Sequence, residues 1–251
     1  MKLINGLMAL VMSYTIMGAV HAEQIHVAVA SNFTSAMKVI AAEFEKNTEH
    51  TVVLSFGSSG KFVAQIQNGA PFQLFLSADQ TKPLVLEKSG FTVPGSRFTY
   101  AIGALALWST KADFVDKDYA NLKAGNFNKL ALANPKLAPY GAAAVEVLNA
   151  LDLEKTTESK WVMGENIAQT YQFVATGNAD LGFVALSQIM DKGHINEGSS
   201  WIIPSNLYSP IRQDAVLLKN AKNSVGARAM LDYLHSDSAH TIIRGYGYKT
   251  E

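Results

Sequence analysis

Cysteine is absent from the 251-residue chain. This absence excludes disulfide bonds, thiolate metal sites and cysteine nucleophiles. A net charge is missing as well, because 21 Lys and Arg residues balance 21 Asp and Glu residues. Nucleic acids and anionic membrane surfaces attract proteins through a basic excess, which this chain does not have. We therefore expect neither of them as a partner.

Long apolar runs are scarce, and the one that stands out lies at the N-terminus. Met1-Lys2 gives a short positive start, and Val20 and Ala22 follow the apolar run at the positions that a signal peptidase reads. Residues 1–22 are therefore predicted to be a signal peptide cut after Ala22. No later stretch reaches the length of a membrane span, so we expect a soluble mature protein. A secreted chain without free thiols suits an oxidising compartment, which in a bacterium is the periplasm.

The remaining chain alternates segments with the periodicities of strands and helices. The stretches "QIHVAVA", "TVVLSF" and "FQLFLSAD" are predicted strands with helices between them, and a second block from "NKLALANP" to "LGFVAL" repeats this plan. Such repetition predicts parallel strands with crossover helices, hence an α/β protein. Two long extended segments, "RFTYAIGALALWS" and "SPIRQDAVLLK", flank the second block.

This arrangement predicts two α/β lobes joined by a two-strand hinge. We expect residues 23–101 to form the first part of lobe 1, residues 102–212 to form lobe 2, and residues 213–251 to return to lobe 1. In such proteins a ligand binds in the cleft between the lobes, at the carboxyl ends of the strands.

The strands lead into helices through polar turns that carry almost no charge. The start of a helix offers unpaired backbone N–H groups and a partial positive charge, which together bind an anion without any Lys or Arg. The same residues are also ordinary helix caps, worth about 1 kcal/mol each. Both interpretations stay open on the residues alone. The turns are Ser31-Asn32, residues 57–60, residues 139–141 and residues 164–167, where Glu165 is the only charged residue.

Several of these stretches closely resemble the periplasmic molybdate-binding proteins of ABC transporters. They are "ASNFTSAM", "SFGSSGKFVAQIQNGAPFQLFLSAD", "GSRFTYAIGALALW", "NPKLAPYG" and "ADLGFVALSQI". The resemblance implies a type II periplasmic binding protein fold, whose two lobes close on a tetrahedral oxyanion. The implied ligand is molybdate, together with tungstate, and the implied partner is the membrane permease of the transporter. We expect a monomer without a cofactor.

The resemblance also implies a set of ligand-binding residues. Ser31 would bind through its hydroxyl and N–H groups, and Ser59 would bind from the second turn. The side-chain amide of Asn32 would either bind the ligand beside Ser31 or cap the helix. Tyr140 and Ile167 would contribute backbone N–H groups. Many members of the family have a binding tyrosine where this chain has Ala185, and the phenol of Tyr140 is the candidate replacement.

A site made only of donors suits an oxyanion that carries no proton. Phosphate near neutral pH keeps a proton, and burying that O–H donor without an acceptor costs about 1–3 kcal/mol of binding free energy. We interpret the nearby Glu165 as facing the solvent. Alternatives are the same fold binding sulfate or phosphate, or a secreted α/β hydrolase. The hydrolase is disfavoured because "GSSGK" fits neither a phosphate-binding loop nor a nucleophile elbow. We therefore predict a protein that is not an enzyme.

Overall fold

The structure is a computed structural model that describes residues 22–195 and 197–251. The predicted signal peptide, apart from Ala22, lies outside the described residues. No helix in the described ranges is both long enough and apolar enough to cross a membrane.

Strands and helices alternate along the described chain, with short 3₁₀ turns at Ser31–Phe33, Glu158–Lys160 and Lys219–Ala221. The strands are β1 (Gln24–Ala30), β2 (Thr51–Gly57), β3 (Leu74–Leu76), β4 (Phe98–Gly103), β5 (Leu105–Ser109), β6 (Leu130–Ala133), β7 (Trp161–Gly164), β8 (Leu181–Ala185), β9 (Met190–Asp191), β10 (His194–Ile195), β11 (Ser199–Ile202) and β12 (Ile211–Leu217). The helices are α1 (Thr34–Asn47), α2 (Ser59–Gln67), α3 (Thr81–Lys88), α4 (Ala120–Ala124), α5 (Pro139–Ala150), α6 (Glu154–Thr157), α7 (Ile167–Ala175), α8 (Leu186–Ile189), α9 (Val225–Tyr233) and α10 (Asp237–Gly245).

Two five-stranded sheets form the centres of two lobes. The first has the order β2-β1-β3-β12-β4 and the second the order β11-β5-β8-β6-β7. Strand β1 pairs in parallel with β2 and β3, and β6 pairs in parallel with β7 and β8. Strands β12 and β5 run antiparallel to their neighbours. The predicted α/β class with two lobes is therefore confirmed.

Strand β1 is apolar and buried from Val27 to Ala30, where both faces of the sheet are covered. In β1, Val27 and Val29 pack into the cluster that contains Ile40 and Phe44 of α1. Ala28 points the other way, into the cluster that contains Phe62 of α2. Successive side chains of a strand alternate between faces, so a strand buried on both sides needs a continuous apolar run.

The chain passes between the sheets at two places. Strand β4 of the first sheet continues into β5 of the second with only Ala104 between them. The chain returns between β11 and β12. The C-terminal segment also lies at this joint, because Lys249 pairs with Ile102 of β4. Strands β1, β2, β6 and β7 all end on the same side of the joint and lead into helices there.

Candidate functional site

The four polar turns meet around one small cavity between the lobes. The space between its wall atoms is about 190 Å³, part of which opens to solvent. All five residues that the sequence analysis named lie in its wall, and no wall residue is charged. The wall consists of Ala30, Ser31, Asn32, Gly57, Ser58, Ser59, Ala78, Ala138, Pro139, Tyr140, Asn166 and Ile167.

The cavity is shielded from solvent by contacts between the lobes. Most of its polar residues are buried, with Ser59 and Tyr140 each only 1% exposed, whereas Asn166 is half-buried. The Gly60 N–H group donates to the Leu137 carbonyl across the cleft at 3.1 Å. A Cβ atom on Gly60 would lie 3.1 Å from that same oxygen. The glycine therefore allows the two backbones to approach.

Backbone donors at the cavity come from the first turns of three helices. Ser59, Tyr140 and Ile167 occupy the first or second positions of α2, α5 and α7. Within the described residues, their N–H groups have no hydrogen-bond acceptor, and the same is true of the Ser31 N–H group after β1. These are the groups that a helix leaves unpaired at its start, where the helix dipole is positive.

Serine hydroxyls add donors beside the second turn. The Ser59 Oγ atom accepts a hydrogen bond from the Ala78 N–H group at 2.9 Å, which leaves its own proton available. Ser58 lies at the N-cap position of α2 but does not cap it. Its Oγ atom is buried and has no partner among the described residues. Ser58 is not among the ligand-binding residues predicted from the sequence, although two consecutive serines before a helix are a signal for it.

The fourth turn combines a cap with a donor. The Asn166 side chain accepts hydrogen bonds from the N–H groups of Ala168 and Gln169 at 2.9 and 3.0 Å. Capping is therefore the correct interpretation for this side chain. Asn166 satisfies these two groups, whereas the Ile167 N–H group, in the cavity wall, has no acceptor among the described residues.

The side chains of Asn32 and Tyr140 belong to a buried hydrogen-bond network. Asn32 Nδ2 donates to Gln213 Oε1 at 2.8 Å and to the Tyr248 hydroxyl at 2.9 Å. The Tyr140 hydroxyl accepts from Gln213 Nε2 at 3.1 Å. The phenol of Tyr140 therefore faces β12, and the backbone N–H group of this wall residue has no acceptor among the described residues. A Cβ atom at Gly103 would lie 2.1 Å from the Tyr140 hydroxyl, so the glycine makes room for it.

The phenols of this network are protonated and neutral. Burial raises the pKa of Tyr140 and of Tyr248 above the ordinary value of tyrosine. Removing water disfavours the charged phenolate, and the other buried phenols add to this effect at Tyr140. The phenols of the network are therefore neutral, and the cavity wall itself contains no charged side chain.

Glu165 lies beside the fourth turn but not in the cavity wall. It forms an ion pair with Lys61 of α2, and both side chains are about half exposed, at 49% and 47%. The pair joins the two lobes at the surface. The carboxylate is thus neutralised by a partner rather than directed at the cavity.

Two other features of the described residues do not compete with this site. A larger surface groove near Phe72, Phe91 and Leu218 is mainly apolar and open to solvent. It gathers no convergent donors. The described residues contain no group of three or more His, Cys, Asp or Glu side chains placed to hold a metal ion.

A family model described as bacterial extracellular solute-binding protein matches residues 25–249. This chain belongs to that family. Two relatives are molybdate-binding proteins named ModA. The protein from Azotobacter vinelandii is 56% identical over 92% of this chain and 91% of its own length. The protein from Rhodobacter capsulatus is 50% identical over 97% of this chain and 94% of its own length.

A solved structure gives the same result for the fold. The Azotobacter vinelandii periplasmic molybdate-binding protein superimposes with a TM-score of 0.88 and 41% identity, covering 90% of this chain and 99% of the other. The resemblance noted in the sequence and the periplasmic binding protein fold are both confirmed. The chain is a solute-binding protein of a transport family and not an enzyme.

Proposed function

We propose that this protein captures molybdate, and also tungstate, in the cavity between its lobes and delivers it to the permease of an ABC transporter. The ligand would be held by Ser31, Asn32, Ser59, Tyr140 and Ile167, with Ser58 as an additional donor. The observation that supports this most is the convergence of unpaired N–H and hydroxyl groups on a cavity wall without charged residues. The names of the two ModA relatives support the choice of ligand.

Neutral donors are sufficient for a dianion in such a place. Helix N-termini carry a partial positive charge, and donors that are already oriented need no rearrangement when the ligand enters. The shielded cavity also keeps water from competing for the ligand oxygens. Each hydrogen bond to a charged group contributes about 1.5–3 kcal/mol, so a handful of them supports tight binding.

The same wall disfavours oxyanions that carry a proton. The wall contains no Asp or Glu to accept that proton. Hydrogen phosphate would leave its hydroxyl unpaired in a buried site, whereas molybdate has four acceptor oxygens and no donor. Sulfate also carries no proton, so we propose that cavity size distinguishes it from molybdate.

Delivery would depend on the shape of the bound form. Contacts such as the Gly60–Leu137 hydrogen bond and the Lys61–Glu165 ion pair join the lobes, and the ligand would stabilise that arrangement. We propose that a permease recognises the joined lobes. We further propose that the protein acts in the periplasm as a monomer, after removal of residues 1–22.

Isothermal calorimetry against a panel of oxyanions tests the proposed ligand. The purified protein is titrated with molybdate, tungstate, sulfate, phosphate and a monocarboxylate at neutral pH. We expect molybdate and tungstate to bind at least a hundredfold more tightly than the others. Equal or tighter binding of sulfate or phosphate would contradict the proposal.

A further inference from the structure

Gln213 joins the two lobes beside the cavity, although it does not line it. It lies in β12, where the pairing with β4 shifts register between Gln213 and Asp214. Its side chain is fully buried. It contacts Asn32 of the first lobe, Tyr100 of β4 and Tyr140 of α5, with distances of 2.8, 3.0 and 3.1 Å. One amide thus connects a wall residue from each lobe.

The network as described leaves one acceptor unpaired. Both protons of the Asn32 amide are used on Gln213 and Tyr248, while Asn32 Oδ1 is buried without a partner among the described residues. A buried acceptor without a donor costs about 1–3 kcal/mol. It also suits a dianion poorly, because an oxyanion without protons cannot donate to it.

Rotating the side-chain amides of Asn32 and Gln213 by 180° gives the unpaired acceptor a donor. No other heavy atom moves, since the nitrogen and oxygen of each amide exchange places. Asn32 Oδ1 then accepts from the Gln213 amide and from the Tyr248 hydroxyl, at the same 2.8 and 2.9 Å. The Gln213 carbonyl accepts from the Tyr140 hydroxyl at 3.1 Å. The Asn32 NH₂ group occupies the position that had no partner.

The tyrosine hydroxyls fit this second arrangement. The Tyr100 hydroxyl already donates to the Ser77 carbonyl at 3.1 Å, so it is able to accept from the Gln213 amide. The Asn32 backbone carbonyl accepts from both the Ser187 and the Tyr248 hydroxyls at 2.8 Å, so Ser187 alone is able to satisfy it while the Tyr248 proton turns to Asn32 Oδ1. Every member of the network then has a partner except the Asn32 NH₂ group, and Asn32 lies in the cavity wall.

We propose that Gln213 is a positioning residue that holds Asn32 with its NH₂ group toward the bound oxyanion, and that it thereby sets selectivity against protonated anions. This inference rests on the proposed function. With the Asn32 amide reversed, the wall would present an acceptor and favour an anion such as hydrogen phosphate. Because Gln213 takes its own orientation from Tyr140, the donor is set only when both lobes are in contact.

The test is a double-mutant cycle that combines Gln213→Met with Asn32→Ala. Molybdate and phosphate affinities are measured by calorimetry, and stability by urea unfolding. We expect Gln213→Met to weaken molybdate binding at least about tenfold and to leave phosphate binding unchanged or improved. In the Asn32→Ala background, Gln213→Met should have no further effect on molybdate.

A matched control is Gln80→Met. The Gln80 amide donates to Thr99 and to Asp214 at 3.0 and 3.2 Å, so its loss also removes partly buried hydrogen bonds from the first lobe. It has no contact with Asn32. We expect this variant to lose stability and to keep the wild-type ratio of molybdate to phosphate affinity.

An NMR measurement on the wild type serves if Gln213→Met does not fold. On adding molybdate to ¹⁵N-labelled protein, the side-chain NH₂ resonances of Asn32 should shift downfield, as expected for a new bond to an anion. Unshifted Asn32 resonances, or a Gln213→Met effect that persists unchanged in the Asn32→Ala background, would overturn the positioning role. Failure of the wild type to bind molybdate would overturn the proposed function as well.

Discussion

Replacing Ser59 by alanine separates ligand binding from folding at the second turn. The hydroxyl has two bonds to lose, one proposed to the oxyanion and one accepted from the Ala78 N–H group at 2.9 Å. A hydrogen bond to a charged group is worth about 1.5–3 kcal/mol. With tenfold in affinity for each 1.4 kcal/mol, Ser59→Ala should weaken molybdate binding about tenfold to a hundredfold.

Loss of the hydrogen bond from the Ala78 N–H group should lower the free energy of unfolding. Ala78 is buried, at 3% exposed, so its N–H group would be left without an acceptor. That costs about 1–3 kcal/mol of the free energy of unfolding. Ser58→Ala should behave differently, because the Ser58 hydroxyl has no partner in the described structure. It should weaken molybdate binding while leaving stability unchanged or higher.

Calorimetry with molybdate and urea unfolding without it measure the two effects separately. The controls are Ser89→Ala, an exposed serine, and His235→Ala, since neither residue lies in the cavity wall. Both should bind molybdate like the wild type. The reasoning is refuted if Ser59→Ala binds as tightly as the wild type, or if His235→Ala loses as much affinity as Ser59→Ala.

Three further predictions concern closure and pH. Gly60→Ala should slow or weaken molybdate binding with little loss of stability, because the added Cβ would crowd a backbone oxygen only 3.1 Å away in the opposite lobe. Gly245→Ala is the control, because a Cβ there would have nothing within 4 Å. Equal molybdate affinities of the two variants would contradict this prediction. Lys61→Met and Glu165→Gln should each speed molybdate dissociation by less than about fivefold in stopped-flow experiments, because exposed ion pairs contribute about 0–1 kcal/mol. Additive effects in the double variant would show that the two side chains are not coupled. Burial raises the pKa of Tyr248, so the stability that depends on its neutral phenol should be constant below about pH 10 and be lost above that pH. Urea unfolding at a series of pH values measures this stability. A decline that starts near pH 8 would contradict the prediction.

The fold was largely predictable because its signals are local. Strand β1 reads as alternating and then continuous apolar residues, and α1 has an apolar face at helical spacing, so element type and order follow from periodicity. The extended segment "RFTYAIGALALWS" was predicted to cross between the lobes, and it does so as two strands of different sheets that separate at Ala104.

The candidate site was only partly predictable, because convergence is a property of topology. The polar turns were visible in the sequence, but their meeting depends on the order of two sheets. Gln213 is 181 residues from Asn32 along the chain, so nothing local connects them. Whether Ser58 caps its helix, or leaves its hydroxyl to the cavity, depends equally on distant packing.

Crystals grown with molybdate, with anomalous diffraction measured at the molybdenum edge, test the central claim most directly. That claim is that neutral donors from both lobes hold the dianion without a cationic side chain. The account predicts a single anomalous peak inside the cavity, with ligand oxygens within hydrogen-bond distance of Ser31, Ser59 and the Ile167 N–H group. A peak outside this cavity, or a Lys or Arg side chain bonded to the ligand, would contradict it.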